Sequence, residues 1–173
     1  MTVLIAQHTK EKIILGADSG GFNNSGFKIN LNNHCRLKKI NVVNGITYSA
    51  AGSASELINF GLFCQIRKPE RNDQLGMQKF FVDFNKWLKD QNITTNQVIE
   101  NSYFIVFENK LFQYNSGAID EILEDDFATS GAGFREAYMA MHLGKTVQEA
   151  IDLTIEMNMW ASGEAQIVEI LKK

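Results

Sequence analysis

The stretch Thr2-Val3-Leu4-Ile5-Ala6-Gln7-His8-Thr9-Lys10-Glu11-Lys12-Ile13-Ile14-Leu15-Gly16-Ala17-Asp18 decides how the rest of the chain is read. Its two apolar runs, residues 3–9 and 12–18, have strand composition, and Lys10-Glu11 between them is a turn signal. They pair as an antiparallel hairpin. Ile13-Ile14-Leu15 breaks the alternation of a strand with one wet face, so this hairpin calls for cover on both sides.

Working outward, a polar Gly/Asn loop over residues 20–33 leads to strands at 35–43 and 46–51, joined by Asn44-Gly45, a strong hairpin pair. The period then changes. Ser53-Ala54-Ser55-Glu56 has capping-box form, in which Ser53 and Glu56 would each satisfy an orphan amide of the other. The helix it opens carries Leu57, Ile58, Gly61, Leu62 and Cys64 before Pro69 stops it. A second helix presents Met77, Phe80, Phe81, Phe84 and Leu88 at helical spacing, with Lys79, Asp83, Lys86 and Lys89 between them. Residues 102–108 and 111–114 form another hairpin about Asn109-Lys110, and 121–130 holds a further strand. Helices at 134–143 and 147–158 follow, the latter opened by a capping box from Thr146 to Glu149, and 165–171 alternates as a last strand.

Strands, two helices, strands, two helices and a strand, in that order, predict an α+β fold. Two antiparallel sheets pack face to face and each is covered on its outer side by a helical pair, a four-layer α-β-β-α sandwich over a single domain, residues 1–173. A formal charge of -3 argues against a nucleic-acid partner, which usually meets a basic stripe. No apolar run approaches the roughly eighteen residues of a membrane span, so the expected location is cytoplasmic. The cysteines Cys35 and Cys64 have neither metal nor redox spacing, and His8, His34 and His142 are scattered, so no metal or cofactor is expected.

Thr2 directly follows Met1, and removal of Met1 would leave a hydroxyl nucleophile and a free amine on one residue. An α-amino group titrates at about 7.7–8.0, so it can serve as the base at neutral pH, where a lysine ordinarily cannot.

Thr2, Asp18 at the end of the second strand, Lys38-Lys39-Ile40, Ala51-Gly52 ahead of the first helix and Ser130-Gly131 before the third occur in one order along the chain. In that arrangement the sequence resembles, over essentially its full length, the proteasome family of N-terminal nucleophile hydrolases. It is most similar to the β-type subunits and to the peptidase ring of the related bacterial ATP-dependent protease. The resemblance implies the N-terminal nucleophile hydrolase fold and a threonine-type peptidase cutting polypeptide substrates. It implies Thr2 as nucleophile and Lys39, paired with Asp18, as the cation that lowers the threonine hydroxyl's pKa. Gly52 would be an oxyanion N–H donor and Ser130 a support for the amine. Lys28 competes with Lys39, which alternation from Cys35 and the distance to Ala51-Gly52 favour. Leu37 and Ala50 would border an apolar pocket for the residue before the cut bond.

The resemblance also implies a homo-oligomeric ring fed by an ATP-dependent unfoldase, with residues 53–67 and their Phe60 and Phe63 as a candidate ring contact. The family aspartate that precedes a late Ser-Gly by three residues is Met159 here, ahead of Ser162-Gly163, and methionine cannot accept a carboxylate's hydrogen bonds. No propeptide is expected ahead of Thr2, and loss of Met1 to an aminopeptidase is the expected processing. A noncatalytic ring subunit and a small-amide amidohydrolase are the alternative functions.

Overall fold

The computed structural model describes residues 2–22, 28–29, 38–93 and 98–172. The opening hairpin forms as expected: β1 (Val3–His8) pairs with β2 (Lys12–Asp18), Leu4 lying opposite Ala17 and His8 opposite Ile13. Inside the expected Gly/Asn loop, β3 (Gly21–Phe22) and β4 (Lys28–Ile29) make a small antiparallel ladder. β5 (Ile40–Val43) and β6 (Ile46–Ala51) turn at Asn44-Gly45, whose positive φ values of 53° and 80° suit the tight turn that sequence pair favours. Strand β5 starts later than expected, with Lys38 and Lys39 ahead of it, and Cys35 and Leu37 lie outside the described residues.

Helices α1 (Ala54–Ile66) and α2 (Gln74–Asp90) follow, then β7 (Ser102–Phe107), β8 (Lys110–Asn115), β9 (Ala118–Ile122) and β10 (Asp126–Gly131). Where one strand was expected over residues 121–130, there are two, and they belong to different sheets. β9 continues the meander from β8 through Ser116-Gly117, both at positive φ, whereas β10 crosses over to pair with β1. Helices α3 (Phe134–His142) and α4 (Val147–Met157) precede β11 (Ala165–Leu171), which pairs with β2. The Thr146–Glu149 capping box at α4 is complete.

One sheet runs β10-β1-β2-β11 and the other β5-β6-β7-β8-β9, all pairs antiparallel. Three apolar cores separate four layers. Leu4, Ala6, Leu15 and Ala17 meet Ile40, Ala51, Phe104 and Val106 between the sheets. Val3 and Ile5, on the alternate face of β1, pack with Ala137, Ala140, Val147 and Ile151 of α3 and α4. Tyr48, Ala50, Tyr103 and Tyr114 of the second sheet meet α1 and α2 in an aromatic core, where Phe60 lies edge-on to Phe84 at 5.0 Å and Phe81 stacks on Tyr114 at 4.1 Å. Such ring pairs contribute about 0.5–1.5 kcal/mol each beyond the area they bury.

Phe60 and Phe63 are therefore core residues and not the ring contact expected of them. The large apolar side chains that α1 leaves exposed are Ile58, Leu62 and Ile66, one turn apart. Among the described residues no helix is long and apolar enough to cross a membrane.

Candidate active site

The site gathers where β1 begins and β2 ends. Antiparallel pairing brings Asp18 back beside the start of β1, and burial there leaves its carboxylate no solvent. Three donors replace the water. Oδ1 accepts from the Lys39 ammonium at 2.7 Å and from the Val3 backbone N–H at 2.9 Å, and Oδ2 accepts from the Ser162 N–H at 3.1 Å. Lys39 is 1 % exposed whereas Lys38 points to solvent, so of the two adjacent lysines only Lys39 enters the site. Its own N–H donates to the Gln166 side chain on β11 at 3.0 Å, which pins the chain just before β5. Burial pulls the Lys39 pKa below the ordinary lysine value, and the attraction and hydrogen bond of Asp18 push it back up. Lys39 pairs with Asp18 as the resemblance implies; the side chain of Lys28 lies outside the described residues.

Thr2 immediately precedes β1 and is buried, its backbone approached from both sides. On one side Val3 is bound to Asp18; on the other the Thr2 carbonyl lies against Gly131, at the end of β10. A Cβ on Gly131 would stand 2.1 Å from the Thr2 oxygen and 3.3 Å from the Ala51 Cβ, so Thr2, Gly131 and the Ala51-Gly52 corner converge. Gly131 has φ of 88°, which only glycine adopts readily. Ser130, opposite Leu4 in the ladder, meets the Ser102 hydroxyl at 2.5 Å and ties β10 to β7 of the other sheet. The fold thus brings Thr2, Asp18, Lys39, Ser130 and Gly52 to one end of the sandwich. Ala50 faces the other way, into the helix-side core at 5 % exposure, where it offers a substrate little surface, and Leu37 lies outside the described residues.

Gly52 turns the chain from β6 toward α1 at φ of 139°. The capping box expected there forms only in half: the Ser53 hydroxyl caps Glu56 N–H at a long 3.5 Å, but Glu56 does not return to Ser53. Its carboxylate instead accepts from the backbone N–H groups of Asn101 and Glu100 and from the Tyr103 hydroxyl, while Asn101 takes the Ser53 N–H. Sequence reading missed Asn101, Ser102 and Gln166, none of which sits in a local motif. Ser162 joins the site through backbone alone, its N–H to Asp18 and its carbonyl to Gly20 N–H at 2.7 Å, while Met159 is solvent-facing. Among the described residues no three of His, Cys, Asp and Glu converge in a metal-holding group.

A buried lysine–aspartate pair and two glycine corners lie at the same end of the sandwich as Thr2, and a fixed cation with backbone N–H donors is an arrangement suited to stabilising negative charge. No family model matches the chain, and no curated protein matches it. Solved structures do. Thiobacillus denitrificans BPH in complex with epoxomicin aligns at a TM-score of 0.84 over 100 % of both chains with 15 % identity. A second structure of Thiobacillus denitrificans BPH gives 0.83 over 100 % of this chain and 99 % of that one, at 17 % identity. Eukaryotic HslV from Trypanosoma brucei gives 0.73 over 98 % and 99 %, at 13 % identity. At these identities the likeness is one of fold, and the four-layer sandwich of this chain is the fold of BPH and HslV from end to end.

Proposed function

We propose that the chain is a proteasome-like, threonine-type peptidase subunit that works after Met1 is removed. The observation that carries the reading is the Asp18 carboxylate, which binds the Lys39 ammonium and the backbone of Val3 with the same oxygen and so sets a buried cation beside residue 2. The Thr2 hydroxyl attacks the peptide carbonyl as its proton passes to the Thr2 amine, with Lys39 favouring the alkoxide. The tetrahedral oxyanion takes the Gly52 N–H, the proton goes to the leaving amine, and an ester to Thr2 remains. Water, deprotonated by the same amine, hydrolyses the ester. In this reading Ser130, braced by Ser102, borders the amine.

The subunit would act in a closed homo-oligomeric ring in the cytoplasm, fed by an ATP-dependent unfoldase, with Ile58, Leu62 and Ile66 on α1 as ring-contact surface. The test is Thr2→Ala, assayed on a fluorogenic peptide amide alongside the intact mass of the parent. Turnover is expected to fall at least about a thousandfold with assembly unchanged. Epoxomicin, found in complex with BPH, is expected to block the parent. Equal turnover in the two proteins overturns the reading. A second reading, a noncatalytic ring subunit, draws on the solvent-facing Met159 where the family carries aspartate, and a mass that retains Met1 would favour it.

A further inference from the structure

Asn101 is 1 % exposed, and both ends of its amide are spent on one residue of the Gly52 corner. Its Oδ1 accepts from the Ser53 N–H at 2.5 Å, and its Nδ2 donates to the Ser53 carbonyl at 2.9 Å. A Cβ on Gly52 would stand 2.1 Å from Asn101 Oδ1, so the amide lies against Gly52 as well as Ser53. Asn101 therefore pairs with Ser53 as a neighbouring strand would, at a place where the ladder between β6 and β7 has ended at Ala51 and Ser102.

Asn101 is itself held. Glu56 Oε1 accepts from the Asn101 N–H at 3.0 Å and from the Tyr103 hydroxyl at 3.0 Å, and Oε2 accepts from the Glu100 N–H at 3.2 Å. Burial and the Glu56 charge raise the Tyr103 pKa well above the ordinary tyrosine value, which keeps that hydroxyl a donor. The chain of contacts runs from helix α1 to the residue before β7 and back to the corner between β6 and α1.

We propose that Asn101, backed by Glu56, is the positioning residue for the Gly52 N–H, fixing the direction of the donor that receives the oxyanion. The proposal rests on the peptidase reading above. A backbone donor stabilises a developing charge best when it is aimed before the reaction. The Gly52 N–H lies just past the last β6–β7 pair, at a glycine with φ of 139°, and Asn101 fixes the Ser53 N–H and carbonyl that follow it. Asparagine suits the task because it offers a donor and an acceptor in one plane; aspartate would keep the acceptor for Ser53 N–H but set a charge against the Ser53 carbonyl.

The experiment uses the full chain with Thr2 exposed and compares the parent with Asn101→Ala, Asn101→Asp and Glu56→Gln. Each is assayed for kcat and KM on a fluorogenic peptide amide, for Ki of a peptide aldehyde of the same sequence, and for thermal melting. The aldehyde adduct carries an oxygen where the oxyanion would sit, so its affinity reads the donor's aim. Asn101→Ala is expected to lower kcat about tenfold or more with KM within about twofold, and to weaken the aldehyde by the same factor. Asn101→Asp should fall in between. Glu56→Gln should lower both in parallel by a smaller factor, and it carries the test should Asn101→Ala fail to fold. Parent-like kcat and aldehyde affinity in a folded variant overturn the assignment of Asn101 alone, as does a kcat loss with aldehyde affinity unchanged. A parent with exposed Thr2 that neither turns over peptide nor binds aldehyde overturns the peptidase reading and this proposal with it.

Discussion

Asp18→Asn removes a charge from the site while keeping the outline of the side chain, and its effect can be worked from the three hydrogen bonds it disturbs. With the amide oxygen left toward Lys39 and Val3, the new NH2 faces the Ser162 N–H, donor against donor. Turned the other way, the NH2 opposes two donors. In either case the Lys39 ammonium, 1 % exposed, loses its counter-charge. Removing one partner of a buried ion pair costs about 3–5 kcal/mol, because the remaining charge is left desolvated and unpaired. At about 2–4 °C per kcal/mol for a domain of this size, melting should fall by about 6–20 °C. Urea unfolding and thermal melts at fixed protein concentration measure this, the fixed concentration guarding against changes in assembly. The double variant Asp18→Asn/Lys39→Met removes both charges and should lose less than the sum of the two single variants. A loss under about 1 kcal/mol in Asp18→Asn would refute the account, since it would leave a buried pair without the energetic weight assigned to it. Strict additivity in the double variant would do the same.

Lys39 has a folded pKa below the 10.5 of an unperturbed lysine, so between the two values the unfolded chain binds more protons and stability should rise with pH. Lys39→Met should flatten that rise, measured by unfolding at stepped alkaline pH; a slope that survives the substitution assigns it elsewhere. In the proposed mechanism the same lowered value makes activity decline before pH 10.5, and a kcat constant through that pH would argue against Lys39 as the required cation. Gly131→Ala forces a Cβ to within 2.1 Å of the Thr2 carbonyl at a φ of 88°, for an expected loss of about 1–3 kcal/mol together with reduced turnover as Thr2 is displaced. Parent-like melting and turnover would show that the corner has room the geometry denies it.

Legibility from sequence followed how local the deciding physics was. The β1–β2 and β5–β6 hairpins, the α2 stripe and the Thr146–Glu149 box are each specified by residues within a few positions of one another, and each appears where those residues put it. β9 did not, because its apolar residues Ile119 and Ile122 lie three apart around Asp120-Glu121 and give no strand alternation; its register comes from β8, with Leu111 opposite Ile122. Phe60 and Phe63 were misplaced for a related reason. A helix apolar around its whole circumference carries no information about which side is buried, and contact with Phe80, Phe84 and Trp87 of α2 decides it. At the site, Asp18 and Lys39 were visible as residue types in order, but the half-formed box at Ser53 shows the limit. Asn101, 48 residues away, outcompetes Glu56 for the Ser53 N–H, and no local spacing encodes that.

The economy of Asp18 also explains why residue 2 can be set in place before it is chemically complete. Thr2 is located by its neighbour's N–H on Asp18 and by its own carbonyl against Gly131, contacts that draw on neither its hydroxyl nor its amine. Both belong to residues that remain when Met1 leaves. In the proposed enzyme, processing therefore uncovers an amine without having to reposition the nucleophile, and the cation is already aligned because one carboxylate oxygen holds Lys39 and the start of β1 together. Such alignment ahead of reaction is the condition under which a fixed charge assists most, since no reorganisation is left for the moment of attack.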